Sequence, residues 1–386
     1  MVVEPKVRDF ICTTAHPIGC RENVKQQIAY TKKLGTVDGP KKVLVIGSST
    51  GYGLASRITA AYGCQAATLG VMFERAASGK RTATAGWYNN LAFEQQAQQD
   101  GLYAKTINGD AFSQEVKDQI IQIIRQDLGQ VDMVVYSLAA PRRTMADGTV
   151  YRSVLKTVGE EFKNKNLDLK NRQVTEACIP PASEEEIEAT VKVMGGEDWM
   201  DWMKALAEAG VLASNSITVA YSYIGPALTH PIYYNGTIRM AKKHLYQTSI
   251  DITEQLRDLG VKAYISVNKA LVTQASAAIP VVPLYITILY KVMKEKGLHE
   301  GCIEQMNRLF REKLGKGNAV VDSDNQIRLD DYEMKPEIQQ EVMKYWDEIS
   351  SETIDQMADV DGYWEDFYHM FGFQIDGVDY TQDVEL

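Results

Sequence analysis

Residues 42–57, KVLVIGSSTGYGLASR, constrain this chain more than any other stretch. Residues 43–46 have the character of a buried strand, residues 54–61 that of a helix, and the turn between them reads Gly47-x3-Gly51-x-Gly53. Glycine permits so tight a turn and lets a phosphate come close to the backbone. The start of the following helix offers unpaired N–H groups and a partial positive charge. A strand that runs through such a turn into a helix predicts a dinucleotide cradle at the first strand of an α/β sheet. Without its flanking elements the same string would be only a glycine-rich turn.

The rhythm repeats along the chain. ATLGVMF (67–73) reads as a second strand, residues 103–107 as a weaker third, and MVVYSL (133–138) as a fourth. Between the last two, residues 115–127 read as a helix with Ile120, Ile121, Ile123 and Ile124 on one side. Alternation of this kind predicts a Rossmann-like, doubly wound parallel sheet. The G-x3-G-x-G spacing points to a divergent short-chain dehydrogenase type. Residues 141–215 are polar and rich in lysine and glutamate, with Pro180-Pro181 and a helix start at Ser183. They are expected to form an inserted, substrate-covering subdomain. SITVAY (216–221) and AYISV (263–267) continue the sheet, and residues 275–386 are expected to be a mainly helical extension with a short strand near 326–329. The whole chain, 1–386, reads as one catalytic domain.

Composition narrows the function. The chain is 45% hydrophobic and 24% charged, enough for a sizeable core. Its formal net charge of -10 argues against a nucleic-acid partner, which needs clustered positive charge. An anionic cofactor or thioester has to be held by local amides and a few basic side chains. Five scattered cysteines imply no disulfide framework. Cys12-x3-His16-x3-Cys20 supplies only three ligands, so no metal site is expected. The N-terminal residues lack the apolar core of a signal peptide. The longest apolar run, 279–290, is broken by Pro280 and Pro283 and is too short to span a bilayer. A cytoplasmic enzyme is expected.

Glu74 follows the second strand, where an acidic side chain accepts hydrogen bonds from an adenosine ribose and repels a 2′-phosphate. This favours NADH, with the adjacent Arg75 working the other way. Asp110 and Ala111 follow the third strand and Leu138 and Ala139 the fourth, so the fold places the adenine near the first pair and the cofactor beside the second. Short-chain dehydrogenase chemistry needs a tyrosine near a lysine, to stabilise an oxygen that gains charge during hydride transfer. The literal Tyr-x3-Lys, Tyr290 with Lys294, lies beyond the sixth strand and reads as a helix face meeting solvent. Residues 220–244 follow the fifth strand directly and carry Tyr221, Tyr223, Tyr233, Tyr234, Lys242 and Lys243. Tyr233 and Lys242 are nine apart, which puts them on opposite sides of one unbroken helix. Both reach one site only if the helix starts between them. Gly236-Thr237 supplies that start, with Thr237 as the expected N-cap, Tyr233 on the preceding turn and Lys242 on the first or second turn.

Together GSSTGYGLASRI (47–58), GWYNN (86–90), VYSLAAPRR (135–143), KVMGGEDW (192–199), AYSYIGP (220–226), Tyr233-x8-Lys242, SVNKALVT (266–273) and GFQIDGVDY (372–380) resemble the FabV-type trans-2-enoyl-CoA reductases, over essentially the whole chain. The resemblance implies NADH-dependent reduction of an enoyl-CoA or enoyl-acyl-carrier-protein thioester, in fatty acid biosynthesis or short-chain acyl metabolism, by a monomer without membrane partners. It implies Tyr233 as proton donor or oxyanion stabiliser, Tyr223 as a substrate-binding tyrosine, and Lys242 in contact with the cofactor. It implies NADH held by Gly47, Ser48, Ser49, Thr50, Gly51, Tyr52, Phe73, Glu74, Asp110, Ala111, Leu138, Ala139, Leu271, Val272 and Thr273. Residues 279–293 are either a wall for the acyl chain or a buried core helix. Arg142 and Arg143 either meet CoA phosphates or an acidic carrier protein, or form a solvated pair. Two other functions stay open on the residues alone: a ketoacyl reductase on the same fold, and a non-catalytic NAD(H) sensor.

Overall fold

A single fully parallel sheet organises the computed structural model, which describes residues 1–8, 11–138, 140–230, 235–274, 276–314 and 319–386. Its seven strands, in chain order, are β1 (Lys42–Ile46), β2 (Ala67–Met72), β3 (Ala104–Asn108), β4 (Val131–Tyr136), β5 (Leu212–Ser222), β6 (Lys262–Val267) and β7 (Gln326–Arg328). They lie in the order β3-β2-β1-β4-β5-β6-β7. The chain moves outward from β1 to β3, then returns past β1 to β4. That reversal opens a crevice at the carboxyl ends of β1 and β4, where doubly wound folds bind their ligands.

Successive side chains of a strand point to opposite faces. Val43 and Val45, with Met133, Val135 and Val219, pack against Val24 and Ile28 of the Pro17–Lys33 helix and the Gly51–Gly63 helix. Leu44 and Ile46, with Val134 and Tyr136, pack against Ile120, Trp199, Trp202 and Leu245 on the other face. Both faces are covered, so the central strands are apolar throughout, as parallel strands require. A third apolar cluster forms around the Val282–Glu295 helix.

Several local expectations shift. The helix behind the glycine turn is Gly51–Gly63, starting inside the turn, because periodicity registers only the apolar positions further along. The helix after β3 is Gln114–Ile123, closed by a π-helical turn, Ile124–Leu128. Two helices, Pro17–Lys33 and Ala85–Gln99, had no clear apolar stripe to announce them. The short strand at 326–328 is an edge of the main sheet, paired in parallel with β6.

Residues 141–215 divide into parts with different work. Two antiparallel hairpins come first, Arg142–Thr144 with Val150–Arg152 and Phe162–Asp168 with Gln173–Ile179. The Glu184–Met194 helix follows, opened by the expected box: Glu186 N–H donates to Ser183 Oγ and Ser183 N–H to Glu186 Oε2. The Glu197–Glu208 helix then buries Trp199 and Trp202 against the sheet and serves as the crossover into β5. The 162–179 hairpin is fastened to distant chain. Lys165 Nζ donates to the carbonyls of Trp346, Asp347 and Ile349 at 2.7, 3.0 and 3.3 Å, capping the Pro336–Glu348 helix. Asn166 Oδ1 accepts from Val281 N–H at 3.0 Å, ahead of the Val282–Glu295 helix.

One buried ion pair links the core to the crevice. Lys117 Nζ lies 2.7 Å from Asp198 Oδ1, and both residues are buried. Tyr136 O–H donates to Asp198 Oδ2 at 3.1 Å. The same ammonium donates to the carbonyls of Ala111 and Phe112, in the loop after β3. Asp198→Ala would leave that ammonium without its counter-charge, and removing one partner of a buried pair costs about 3–5 kcal/mol. Urea unfolding should show a loss of that size, whereas a loss under about 1 kcal/mol would show the pair to be dispensable.

Candidate active site

The carboxyl edge of the sheet gathers most of the sequence-predicted positions. Gly47 carries φ +89°, and a side chain there would strike the Ser137 carbonyl after β4. Gly51 carries φ +56°, and a side chain there would meet open space. The turn is therefore drawn tight against β4 on one side and left clear on the other, as a phosphate cradle needs. Gly47 and Ser48 N–H both donate to the Val71 carbonyl at the end of β2, at 3.0 and 2.9 Å. Ser49, Thr50 and Gly51 stay partly exposed along the cradle, and Tyr52 O–H donates to the Lys269 carbonyl at 2.9 Å.

Phe73 and Glu74 stand just past β2. Phe73 is 73% exposed, an aromatic face with little protein against it. Asn108 clasps the Glu74 backbone from both sides, Oδ1 accepting from Glu74 N–H at 2.7 Å and Nδ2 donating to Glu74 O at 2.8 Å. The Glu74 carboxylate lies beside Gly86, where any side chain would collide with it. Arg75 turns away and donates to the Thr82 carbonyl at 3.1 Å. Asp110 caps its own loop through Phe112 N–H and Ser113. Ala111 is buried and its carbonyl accepts from Trp202 Nε1. Leu138 follows β4, half-buried, while Ala139 lies outside the described residues. An open glycine cradle, an exposed aromatic ring and an acid beyond β2 fit a dinucleotide without a 2′-phosphate.

The other half of the crevice lies past β5 and β6. Tyr233 is outside the described residues, as is Tyr234. The helix that carries Lys242 is Thr237–Gln255, with Gly236 extended before it, so it does not run back to position 233. Gly236, not Thr237, is the N-cap. Thr237 is the first helical residue, and its hydroxyl donates to the Val154 carbonyl at 2.6 Å instead of closing its own helix. Lys242 sits on the second turn, and its Nζ donates to the Tyr221 carbonyl in β5 at 2.9 Å. Burial pulls its pKa down to about 8. Tyr223 O–H donates to Glu333 Oε1 at 2.9 Å. The 271–273 stretch is held from behind: Val272 N–H donates to the Tyr290 hydroxyl at 3.1 Å, and Thr273 N–H to Ser276 Oγ at 2.9 Å, while Leu271 is buried.

Two expectations are overturned. Tyr290 does not meet solvent. Residues 281–290 are buried without exception, and the Tyr290 hydroxyl donates to Asp366 Oδ2 at 2.7 Å while it accepts from Val272. Lys294 pairs with Asp359 at 2.6 Å. The helix is enclosed as far as Tyr290 and reaches solvent only beyond it, where the Lys294 side chain is 39% exposed, so the Tyr-x3-Lys pair is divided between core and surface. Arg143 is buried too; its guanidinium donates to the Lys192 carbonyl, pairs with Glu197 and Asp201, and lies over the Phe112 ring. Only Arg142 of that pair is exposed. In the N-terminal Cys-His-Cys pattern, His16 Nδ1 accepts from Gly19 N–H and caps a helix, and burial pushes the Cys20 thiol far up.

Sequence reasoning passed over the residues that brace the glycine turn. Asn90 Nδ2 donates to the Ser48 carbonyl at 3.0 Å and to the Gly86 carbonyl at 2.8 Å. Its Oδ1 accepts from Ser48 Oγ at 3.0 Å and from the buried Arg57 guanidinium at 2.9 Å. Asn89 donates to the Ser49 carbonyl at 3.3 Å. The available signal was Asn89-Asn90 inside a helix, where asparagine is a poor former and needs another reason to be present.

Comparison with known proteins places the whole chain beside one family. A family model described as the trans-2-enoyl-CoA reductase catalytic region matches residues 81–315. One described as the NAD(P)H binding domain of trans-2-enoyl-CoA reductase matches residues 2–79, and one described as an enoyl reductase FAD binding domain matches residues 321–384. The trans-2-enoyl-CoA reductase (NADH) of Ruminiclostridium cellulolyticum is 55% identical over 387 residues, covering 100% of this chain and 98% of its own. The enoyl-(acyl-carrier-protein) reductase (NADH) of Flavobacterium johnsoniae is 56% identical over 386 residues, with the same coverage, 100% and 98%. The crystal structure of Treponema denticola trans-2-enoyl-CoA reductase in complex with NAD superposes with a TM-score of 0.96 at 48% identity, covering 100% of this chain and 98% of that one.

The lowered pKa of Lys242 has a consequence for stability. Between about pH 8 and the ordinary value of 10.5, the unfolded chain keeps a proton on this side chain that the folded chain has released. Stability therefore rises with pH through that window on account of this group, and the charged ammonium is penalised below it. Lys242→Met removes the penalty. The variant's stability relative to the parent should be highest below pH 8 and fall as the pH approaches 10.5, followed by urea unfolding across that range. A difference that stays constant would show that Lys242 does not titrate there.

Proposed function

The chain belongs to the trans-2-enoyl-CoA reductase family, and we propose that it reduces the carbon–carbon double bond of trans-2-enoyl thioesters at the expense of NADH. NADH supplies the hydride, which goes to the β-carbon and drives negative charge onto the thioester oxygen. A proton at the α-carbon completes the saturated acyl thioester. Relatives at 55% and 56% identity carry CoA and carrier-protein names respectively, so an enoyl thioester on either carrier is the proposed substrate.

The observation that carries the reading is the placement of Lys242. Its ammonium is set at β5 by the Tyr221 carbonyl, on a helix that begins only at Thr237. That start falls between positions 233 and 242, as the nine-residue step demands, and the step itself differs from the Tyr-x3-Lys of a ketoacyl reductase. In this reading Tyr233 is the hydrogen-bond donor to the developing enolate, and Lys242 keeps the local field positive and steadies that tyrosine. Tyr223 is the second tyrosine against the thioester. Gly47 through Tyr52 hold the pyrophosphate, Glu74 the ribose, Phe73 and Asp110 the adenine end, and Leu138 with Leu271, Val272 and Thr273 the nicotinamide end. The buried Val282–Glu295 helix adjoins this end through Tyr290 and supplies the apolar wall for the acyl chain.

The family-model name for residues 321–384 mentions FAD. In this chain that stretch holds β7 and three helices, the first and last of which pack on the Val282–Glu295 helix. Among its described residues there is no glycine-rich strand–turn–helix. No flavin step enters the reaction proposed here.

An NADH-oxidation assay tests the reading. Crotonyl-CoA should be turned over and acetoacetyl-CoA should not; the reverse would make the protein a ketoacyl reductase. Comparison of enoyl-CoA with enoyl-acyl-carrier protein then identifies the preferred carrier. Tyr233→Phe should lower kcat/KM for crotonyl-CoA about 100-fold, the size of one lost oxyanion donor, with NADH binding intact. Unchanged turnover in that variant would remove Tyr233 from the mechanism.

A further inference from the structure

Glu333 has none of its surface exposed, yet it lies in the loop between β7 and the Pro336–Glu348 helix, far along the chain from every residue assigned above. A carboxylate taken out of water is costly unless its oxygens are hydrogen-bonded. Here they are. Oε1 accepts from Tyr223 O–H at 2.9 Å and from Tyr285 O–H at 2.7 Å, and Oε2 accepts from Ala270 N–H at 2.7 Å. The three donors belong to the loop after β5, the Val282–Glu295 helix and the loop after β6. Lys269, also buried, holds the next peptide of the same loop, its Nζ donating to the Ala270 carbonyl at 3.0 Å.

We infer that Glu333 is a positioning residue of this site, setting the direction of the Tyr223 hydroxyl and the placement of the 270–273 backbone. The inference rests on the enoyl-thioester reading and on Tyr223 meeting the substrate. A phenol has one hydrogen. While Tyr223 gives it to Glu333, only lone pairs remain for the crevice, so a thioester oxygen has to compete for that hydrogen. When the hydrogen turns outward, Tyr285 and Ala270 still satisfy the carboxylate, and the buried charge is never left bare. The arrangement holds the ring still before substrate arrives and releases its hydrogen at low cost afterwards. Misplacement of a reacting group by small distances is expensive in rate, which is what such an anchor prevents.

Four proteins test this: the parent, Glu333→Gln, Tyr223→Phe and the double variant. A glutamine offers one acceptor and one donor. The Ala270 N–H cannot reverse but tyrosine hydroxyls can, so the amide oxygen goes to Ala270 and the NH2 group to the phenol oxygens. The loop keeps its bond, while Tyr223 loses a charge-assisted anchor and has its hydrogen reversed. NADH affinity, from fluorescence titration, should stay within about twofold, and the KM for crotonyl-CoA should fall about threefold, because the outward hydrogen is no longer contested by a carboxylate. Added to Tyr223→Phe, the same change should leave KM unaltered, because Glu333 acts through that hydroxyl. An impaired Tyr223→Phe together with an unchanged KM in Glu333→Gln, or with an equal shift in both backgrounds, would overturn the positioning role alone. A Tyr223→Phe protein as active as the parent would instead sink the substrate role of Tyr223, and this inference with it. Should Glu333→Gln not fold, Tyr285→Phe removes a single hydroxyl and leaves Glu333 holding Tyr223 more firmly. Its KM for crotonyl-CoA should then rise about threefold with tyrosine at 223 and not with phenylalanine there, and an unchanged KM would overturn the inference.

Discussion

The contact of Gly47 with the end of β4 governs the rest of the molecule. The two backbones come so close that no side chain fits between Gly47 and the Ser137 carbonyl. Ser137 N–H is tied to the Ile46 carbonyl at 2.8 Å, and Gly47 and Ser48 are tied to the end of β2. β1 is thus stitched to both neighbours at the point where the sheet reverses its order. A crevice can open there because the strands have ended, and the helix that begins at Gly51 aims its free N–H groups into it. Every other functional position is defined by its distance along this edge.

Behind the edge lies a second regularity. Loops that leave the carboxyl ends of the strands are braced by a buried charged side chain. Arg57, acting through Asn90, holds the turn after β1. Lys117, neutralised by Asp198, holds the carbonyls after β3. Lys269 and Glu333 hold the loops after β5 and β6. Buried charges add little net stability, since desolvation consumes most of the attraction. Their value here is directional: an ammonium, a guanidinium or a carboxylate surrounded by fixed partners leaves a loop few alternative positions. A site that handles hydride transfer needs that rigidity, because the donors must already point where charge will develop.

How legible these features were depends on how local they are. The glycine turn, the capping box at Ser183 and Glu186, and the alternation of strand and helix are encoded within a few residues, and each appears where the sequence places it. Boundaries moved by one to three residues where a helix starts on polar or glycine positions that periodicity does not register. The step from Tyr233 to Lys242 required a helix to begin between them, and the Lys242 helix begins at Thr237. The N-cap was misassigned by one residue because Thr237 spends its hydroxyl on Val154, a partner 83 residues away that no local rule could reveal.

The sequence by itself determined the class of fold, the cradle for a dinucleotide and the start of a helix between positions 233 and 242. Those follow from short-range sterics, from the period of apolar residues and from the chemistry of a few side chains. Tertiary structure alone decided that Tyr290 and Arg143 turn inward, that Asn90 and Arg57 brace the cradle, and that Glu333 reaches Tyr223 from 110 residues away. A polar side chain looks the same in a sequence whether it meets water or a buried partner. Which of the two it meets is settled only when the apolar faces have packed and the distant strands and helices have been brought together.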